Sequence, residues 1–265
     1  MSRILIQNGR VIDPSEGVDR VTNLLIEGDR IASIDTSQMC ADTVFDATGK
    51  IVAPGLIDIG VQLREPGFEE DETIATGTAA AIAGGFTTIA CLPNSNPPID
   101  TQASVEFVQL QAARASRCRV EVLACVSKNR EGAELAELGA LSQEGVVGFT
   151  DAMKPIANPE LMRRALQYSQ MFGRPILNRP EVPELTRGGV MHDGLQSTLL
   201  GLAGMPTEAE DLMTGRDIRL AEATKGQVHL LGISAIDSVE QIRRAKARGV
   251  NVTASMFAAN FAADA

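Results

Sequence analysis

Leu56-Ile57-Asp58-Ile59-Gly60-Val61-Gln62-Leu63-Arg64 is the stretch on which the fold reading turns. With a strand's period of two, Asp58, Gly60, Gln62 and Arg64 share one face, and Ile57, Ile59, Val61 and Leu63 share the other. Working outward, six more apolar runs read as strands: Phe86–Leu92, Arg119–Val126, Val146–Thr150, Pro175–Asn178, Gln227–Ile233 and Val250–Ser255. Helical patterns fill the intervals. Asn158-Pro159-Glu160 offers an N-cap, a proline at the first helical position and an acid beside it. Leu161, Ala165, Tyr168 and Phe172 then recur at helical spacing before Gly173. Asp237-Ser238-Val239-Glu240 reads as a capping-box start, and Gly249 as the matching stop. Strands alternating with helices mean a parallel sheet, either a barrel or an open doubly wound sheet. In a barrel the polar face of 56–64 points inward, where unpaired polar groups are costly unless they serve a function. Catalytic residues of such barrels stand at the C-terminal strand ends.

Residues 1–52 read differently, as short strands with tight turns at Asn8-Gly9 and Gly28-Asp29. The expected organisation is a small β-rich part over residues 1–52 and a β/α barrel over residues 53–265. Seven barrel strands are legible where a (β/α)8 barrel has eight, so the barrel reads as incomplete at its C-terminus. Residues 179–205 form an unusually long connection, of the kind that carries a site or a contact.

Composition narrows the function. With 24 Lys+Arg against 34 Asp+Glu, the formal charge of −10 argues against nucleic acid or an anionic membrane as partner. No apolar run reaches the roughly 18 residues of a membrane span, and the N-terminus lacks the apolar core of a signal peptide. Cys40, Cys91, Cys118 and Cys125 show no Cys-x-x-Cys spacing, and read as buried thiols of a cytoplasmic protein. With two histidines, His192 and His229, one copy of the chain cannot build a site of three or more imidazoles.

Pro54–Gly67 resembles the opening signature of the dihydroorotase family, within the amidohydrolase superfamily of metal-dependent hydrolases. Further similar segments follow in order: Cys91-Leu92-Pro93-Asn94, Gly148-Phe149-Thr150-Asp151, Arg163–Tyr168 and Gly188–Gly194. Gly201–Glu210, Arg216–Ala221, His229–Ser234 and Ala245–Ala254 complete the series. The resemblance implies a TIM-type (β/α)8 barrel with a small sandwich formed partly by the N-terminal strands. The family's eighth barrel strand, with its catalytic Asp, and its closing sandwich strands have no counterpart within these 265 residues. It also implies zinc as the family's cofactor, held by histidines whose positions fall here on Gly60, Gln62, Asn178 and Gly232. Asp151 falls at or beside the family's bridging position, and the histidine-bearing segment after strand seven reads Ser255–Asn260. Glycine offers no ligand atom and a neutral amide is a poor zinc ligand. The resemblance therefore implies that the metal site is lost, and with it the acidified water that attacks a ring amide.

Arg64 and Asn94 match positions that hold the substrate carboxylate in the family, and a guanidinium fork suits that group. The competing reading makes Arg64 a structural ion pair with Asp58, Glu65 or Asp151. His229 reads as a packed histidine facing the helices, His192 as a solvated loop histidine, and Cys91 and Cys125 as core thiols. Lys154 reads as a surface lysine rather than a Schiff-base former, and Glu69–Glu72 as the solvated start of a helix at Thr73. The degenerate pattern is similar to that of non-catalytic dihydroorotase homologues that persist as partners of aspartate transcarbamoylase. That makes the leading expectation a cytoplasmic pseudoenzyme of pyrimidine biosynthesis with no cofactor, self-association being left open. Three alternatives stand beside it. One is an active cyclic amidohydrolase with an atypical metal held by Asp58, Asp151 and waters. Another is a subunit that binds a carboxylated pyrimidine precursor through Arg64 and Asn94 without converting it, and the last is an unstable pseudogene product.

Overall fold

The computed structural model describes residues 2–35 and 40–262. Two compact units emerge, residues 1–56 and 57–265. In the first, β1 (Arg3–Asp13), β2 (Val18–Glu27) and β3 (Arg30–Ile34) run antiparallel, while β4 (Thr43–Asp46) and β5 (Ile51–Val52) pair with β1 in parallel. Gly28-Asp29 is the tight turn between β2 and β3, as the sequence predicts. Asn8-Gly9 is not a turn. It lies inside β1, where the register with β2 shifts between Ile6 and Gly9 and Asn8 takes a left-handed φ of 61°. Tertiary contacts override the local signal: the Asn8 carboxamide donates to Asp46 Oδ1 (3.2 Å), and a Cβ on Gly9 would stand 2.6 Å from the Val52 side chain. A turn at Thr48-Gly49 separates β4 from β5.

The second unit is built on a curled parallel sheet of seven strands in chain order. They are β6 (Leu56–Val61), β7 (Phe86–Cys91), β8 (Arg119–Ala124), β9 (Gly148–Thr150), β10 (Ile176–Asn178), β13 (Val228–Leu230) and β14 (Val252–Ala254). All seven expected strands are present, in the order of a TIM-type barrel wall. Between them run α1 (Ile74–Ala83), α2 (Gln102–Ala115), α3 (Leu138–Gln143), α4 (Pro159–Ser169), α7 (Glu208–Thr224) and α8 (Ile236–Ala247), with α9 (Ala259–Ala262) following β14. The long connection after β10 is structured: it carries α5 (Pro183–Thr186), α6 (Leu195–Leu200) and a small parallel pair, β11 (Met191–His192) and β12 (Gly204–Met205). Among the described residues no helix is long and apolar enough to cross a membrane.

The helices cover one face of the sheet. Ile89, Cys91, Val122, Ala124, Phe149, Ile176, Val228 and Leu230 pack there against Val105, Val108, Leu161 and Leu166 in a single core. Alternate strand residues, among them Ala90, Leu92, Leu123, Leu177 and Leu231, form a smaller cluster on the concave face. Burying each large apolar side chain contributes about 1.5–3 kcal/mol, so the helix-covered layer dominates.

α4 begins as its sequence predicts, with Asn158 Oδ1 accepting from the backbone N–H groups of Glu160 (3.0 Å) and Leu161 (3.2 Å). α8 does not. It starts at Ile236, ahead of the expected Asp237 cap, and a carboxylate from α7 holds the residues just before it: Glu210 accepts from Ser234 N, Ser234 Oγ and Ala235 N at 2.7–3.1 Å. Glu210 thus fixes the segment that enters α8 rather than its first turn, and no side chain caps the helix at its Ala235 N-cap.

Candidate functional site

The mouth of the curled sheet is set by strand register. Leu92 N donates to Val61 O at 2.8 Å, which places Gln62 beside Leu92 and Gly60 beside Ala90 on the concave face. The inward polar face expected of β6 is therefore real, with Asp58 Oδ1 accepting from Gly60 N at 3.0 Å. Gln62 Oε1 accepts from Asn94 Nδ2 at 2.9 Å, so the one ligand-capable atom at these two positions is engaged by the next strand end. Arg64 has a left-handed φ of 61° and pairs with none of the three carboxylates expected for it. Its Nη2 donates to Asp71 Oδ2 at 3.0 Å, and its guanidinium lies over the Phe68 ring, 4.5 Å from the centroid. The chain folds back after β6 and brings the acidic run toward Arg64. That run is consequently more than a solvated helix start: Asp71 is the arginine's partner, while the N-terminus of α1 is capped by Thr73 and by Glu65, which accepts from Ile74 N at 2.7 Å.

Asp151, just past β9, is buried and saturated with protein donors. Its Oδ1 accepts from Val126 N (2.9 Å) and Ser127 N (3.1 Å), and its Oδ2 from Ser127 Oγ (2.5 Å). Burial pushes its carboxyl above the usual carboxylate range, against those hydrogen bonds. Arg130 closes the same corner, donating to the carbonyls of Asp151 (3.0 Å) and Ala152 (2.9 Å). Neither Ser127 nor Arg130 stands out in the sequence, because the turn after β8 and the end of β9 meet only in the folded sheet.

Asn178 is buried and turned toward the helices. Its Nδ2 donates to Asp217 Oδ2 on α7 at 2.6 Å, and its Oδ1 accepts from Ile156 N at 2.8 Å. The reading of Asn178 as a former mouth ligand is thus corrected: Leu231 N donates to Asn178 O, so the residue in register with inward-facing Leu231 is Arg179. At Gly232 φ is +70°, and an added Cβ would lie 2.3 Å from the Phe257 ring. These residues do not fit a zinc pair, which wants imidazole, thiolate or carboxylate donors in tetrahedral reach. Among the described residues no three of His, Cys, Asp and Glu cluster in a way that could hold a metal ion.

A family model described as dihydro-orotase-like matches residues 49–240 of this chain. The chain belongs to the dihydroorotase-like family. A relative from Rhodopirellula baltica is 49% identical over 255 residues, which is 95% of this chain and 56% of its own. The dihydroorotase of Syntrophotalea carbinolica is 46% identical over 253 residues, 95% of this chain and 60% of its own. The chain therefore spans somewhat under two thirds of the length of these relatives. The L-hydantoinase (dihydropyrimidinase) of Arthrobacter aurescens superposes with a TM-score of 0.80 at 22% identity, over 97% of this chain and 58% of that one, and so shares the fold.

Other residues of this dihydroorotase-like chain fall as follows. His229 is buried, but on the concave face: it is in register with Leu177 and Thr253, its Nδ1 lies 2.8 Å from Thr253 Oγ1, and its Nε2 lies 3.1 Å from Ser255 Oγ. Counting back from Gly232 places it on the helix side, and that count fails because the chain leaves strand geometry at Gly232. Burial lowers its pKa to about 4, with Lys246 adding to the effect. The imidazole is neutral when folded and the unfolded chain takes up the proton near the ordinary value of about 6.5. Stability from this group is therefore present above that value and lost as pH falls toward 4, by about 3 kcal/mol as an upper figure. Denaturation from pH 7 to 4 should show that loss in the native chain and a flatter profile in His229→Gln; parallel profiles would contradict the assignment.

His192 is exposed on β11 and Lys154 is exposed near the Arg130 carbonyl, both as expected. Cys91 and Cys125 are buried, with burial pushing the Cys91 thiol up to about 12 and that of Cys125 higher than its ordinary value. Cys40 is exposed and Cys118 half-buried, which corrects the reading of all four as buried thiols, while Cys91 and Cys125 are the core thiols expected.

Proposed function

We propose that this chain is a non-catalytic member of the dihydroorotase-like family that acts as a structural partner of aspartate transcarbamoylase in pyrimidine biosynthesis, without a bound metal. One observation carries the non-catalytic part: Gly60, Gln62 and Gly232 stand at positions that the resemblance assigns to metal histidines, and Asp151 has its oxygens engaged by Val126 and Ser127. Arg64 and Asn94 are then the remnant of carboxylate recognition. The partner and the cytoplasmic setting rest on the resemblance to non-catalytic homologues.

The test loads the purified protein with zinc or manganese and follows dihydroorotate and carbamoyl-aspartate in both directions. Turnover at the metal-free background, with no stoichiometric metal, is the expected result; metal-dependent turnover well above it would sink this reading. For the partner, co-expression with aspartate transcarbamoylase followed by light scattering should give one species larger than either protein. Two separate peaks would remove the structural role.

A second reading is favoured by the relatives' names: those called dihydroorotase are 43–46% identical over comparable lengths. On it the chain belongs to a working cyclic amidohydrolase, hydrolysing a ring C–N bond with an atypical metal held by Asp58, Asp151 and waters. The names favour this reading and the donor chemistry favours the first. Stoichiometric metal in the native protein that disappears in Asp151→Ala would decide for the second.

A further inference from the structure

Arg114, Arg117 and Arg119 stand within one stretch of six residues, at the end of the sheet opposite the mouth. α2 ends at Ala115, Ser116 turns the chain with a left-handed φ of 48°, and β8 begins at Arg119, in register with Thr88 of β7. Arg114 lies in the last turn of α2, where a cation offsets the negative end of the helix. Arg117 and Arg119 have no such local use. Most other arginines of the chain are tied to carboxylates, among them Arg3, Arg10, Arg163, Arg216 and Arg244. Arg117 and Arg119 are exposed, and among the described residues their side chains make no ion pair or hydrogen bond.

The two cations border a single space. Both line a groove of about 600 Å³ between the last turns of α1 and α2 and the first residues of β7 and β8. That lies within the roughly 300–1,000 Å³ typical of small-molecule sites. Ile82, Ala113 and Val120 give the groove an apolar wall, and Ile82 is 42% exposed there. Gln109 lines it too; its Nε2 donates to Glu144 O at 2.7 Å, which fixes the amide and leaves Oε1 as an acceptor. Among the described residues no carboxylate lines the groove, in a chain with 34 Asp+Glu and a formal charge of −10. Forked, weakly hydrated guanidinium groups suit phosphate oxygens, and an apolar wall beside them suits a flat ring.

We propose that this groove binds a nucleoside diphosphate or triphosphate, its phosphates on Arg117 and Arg119 and its base against Ile82 and Ala113, with Gln109 Oε1 accepting from a base N–H. The site is separate from the mouth and stands independently of both readings of it. Two cations two residues apart suit a ligand with adjacent phosphates better than one with a single charge. Because exposed cations carry the attraction, affinity falls as salt rises.

Calorimetry at low ionic strength tests this, with the four common ribonucleoside diphosphates as ligands and inorganic pyrophosphate and adenosine as the two half-ligands. At least one nucleotide should bind, and more tightly than either half-ligand. Arg117→Met and Arg119→Met should each weaken it by about tenfold or more, the usual loss for a hydrogen bond to a charged group. The corresponding lysine variants should recover part of that, and Arg30→Met, at an exposed arginine of β3, should change nothing. Ala113→Glu sets an acid on the groove wall at a helical position and should abolish binding. The proposal is overturned if none of the four nucleotides binds, or if none is held more tightly than pyrophosphate and adenosine. It is equally overturned by an Arg117→Met/Arg119→Met double variant with a native melting profile and affinity within twofold of the native chain.

Discussion

Asp217→Ala is expected to lower the unfolding free energy by about 3–5 kcal/mol, the range for breaking a buried ion pair from one side. Asp217 is fully buried on α7. It accepts from Arg216 Nε (2.9 Å) and Nη2 (2.7 Å) and from Asn178 Nδ2 (2.6 Å). Arg216 in turn donates to the carbonyls of Ile156 and Ala157, both at 2.7 Å, and Asn178 accepts from Ile156 N. One carboxylate thus joins α7, the end of β10 and the segment leading into α4. Removing it strands a largely buried guanidinium and a buried amide donor at once. Urea denaturation measures the loss, and a decrease below about 1 kcal/mol would show that the network relaxes around the gap. Asp217→Asn retains one acceptor oxygen and should cost less. A double-mutant cycle with Asn178→Ala should show coupling of about 1–3 kcal/mol, since the two residues are in direct contact.

The second large effect is expected at Asp151. Asp151→Ala removes the acceptors of two backbone N–H groups and one hydroxyl in a buried corner, each orphaned donor costing about 1–3 kcal/mol. Partial relaxation keeps the sum near 3–4 kcal/mol. The position also has a pH signature. Burial raises the folded-state pKa of Asp151 above its unfolded value. Its contribution is therefore greatest below the ordinary carboxylate range and is lost as pH rises through the raised folded value. The stability difference between the native chain and Asp151→Asn should accordingly widen on acidification from neutral pH. A difference constant over that interval would mean that the hydrogen bonds from Val126 and Ser127 fully offset burial. The consequence for function is direct, because such a loss would make Asp151 a structural tie between the end of β9 and the turn after β8.

Much of the fold is legible in the sequence. Alternation over 56–64 placed Asp58, Gly60 and Gln62 on the inner face, and the seven apolar runs mark the seven strands in order. The reason is that both signals are local: a period of two and a run bounded by breakers need no knowledge of the rest of the chain. Asn158-Pro159-Glu160 works for the same reason, since an N-cap acts within three residues. The misreadings have a common cause too. Asn8-Gly9 has the chemistry of a turn, but contacts from Asp46 and Val52 recruit it into a bulged strand. Asp237 has the chemistry of a cap, but the helix starts one residue earlier, at Ile236, where Glu210 holds the entering segment. Simple alternation from Gly232 puts His229 on the helix side, and alternation breaks where the backbone turns to positive φ.

The sequence by itself determined the class of fold, the order of its strands and the absence of imidazole at four informative positions, because residue identity and period are written in one dimension. Only the tertiary structure decided what surrounds those positions: Asn94 bonds Gln62, the Phe257 ring lies against Gly232, and Asp217 holds Asn178. It also turned Asn178 away from the mouth and placed Arg179 in register with inward-facing Leu231. Such pairings join residues far apart in the chain, 39 positions for Asn178 and Asp217, and depend on which strand ends the curl of the sheet brings together. Side-chain direction at a strand end is set by register with neighbouring strands, a property that no single strand carries in its own sequence.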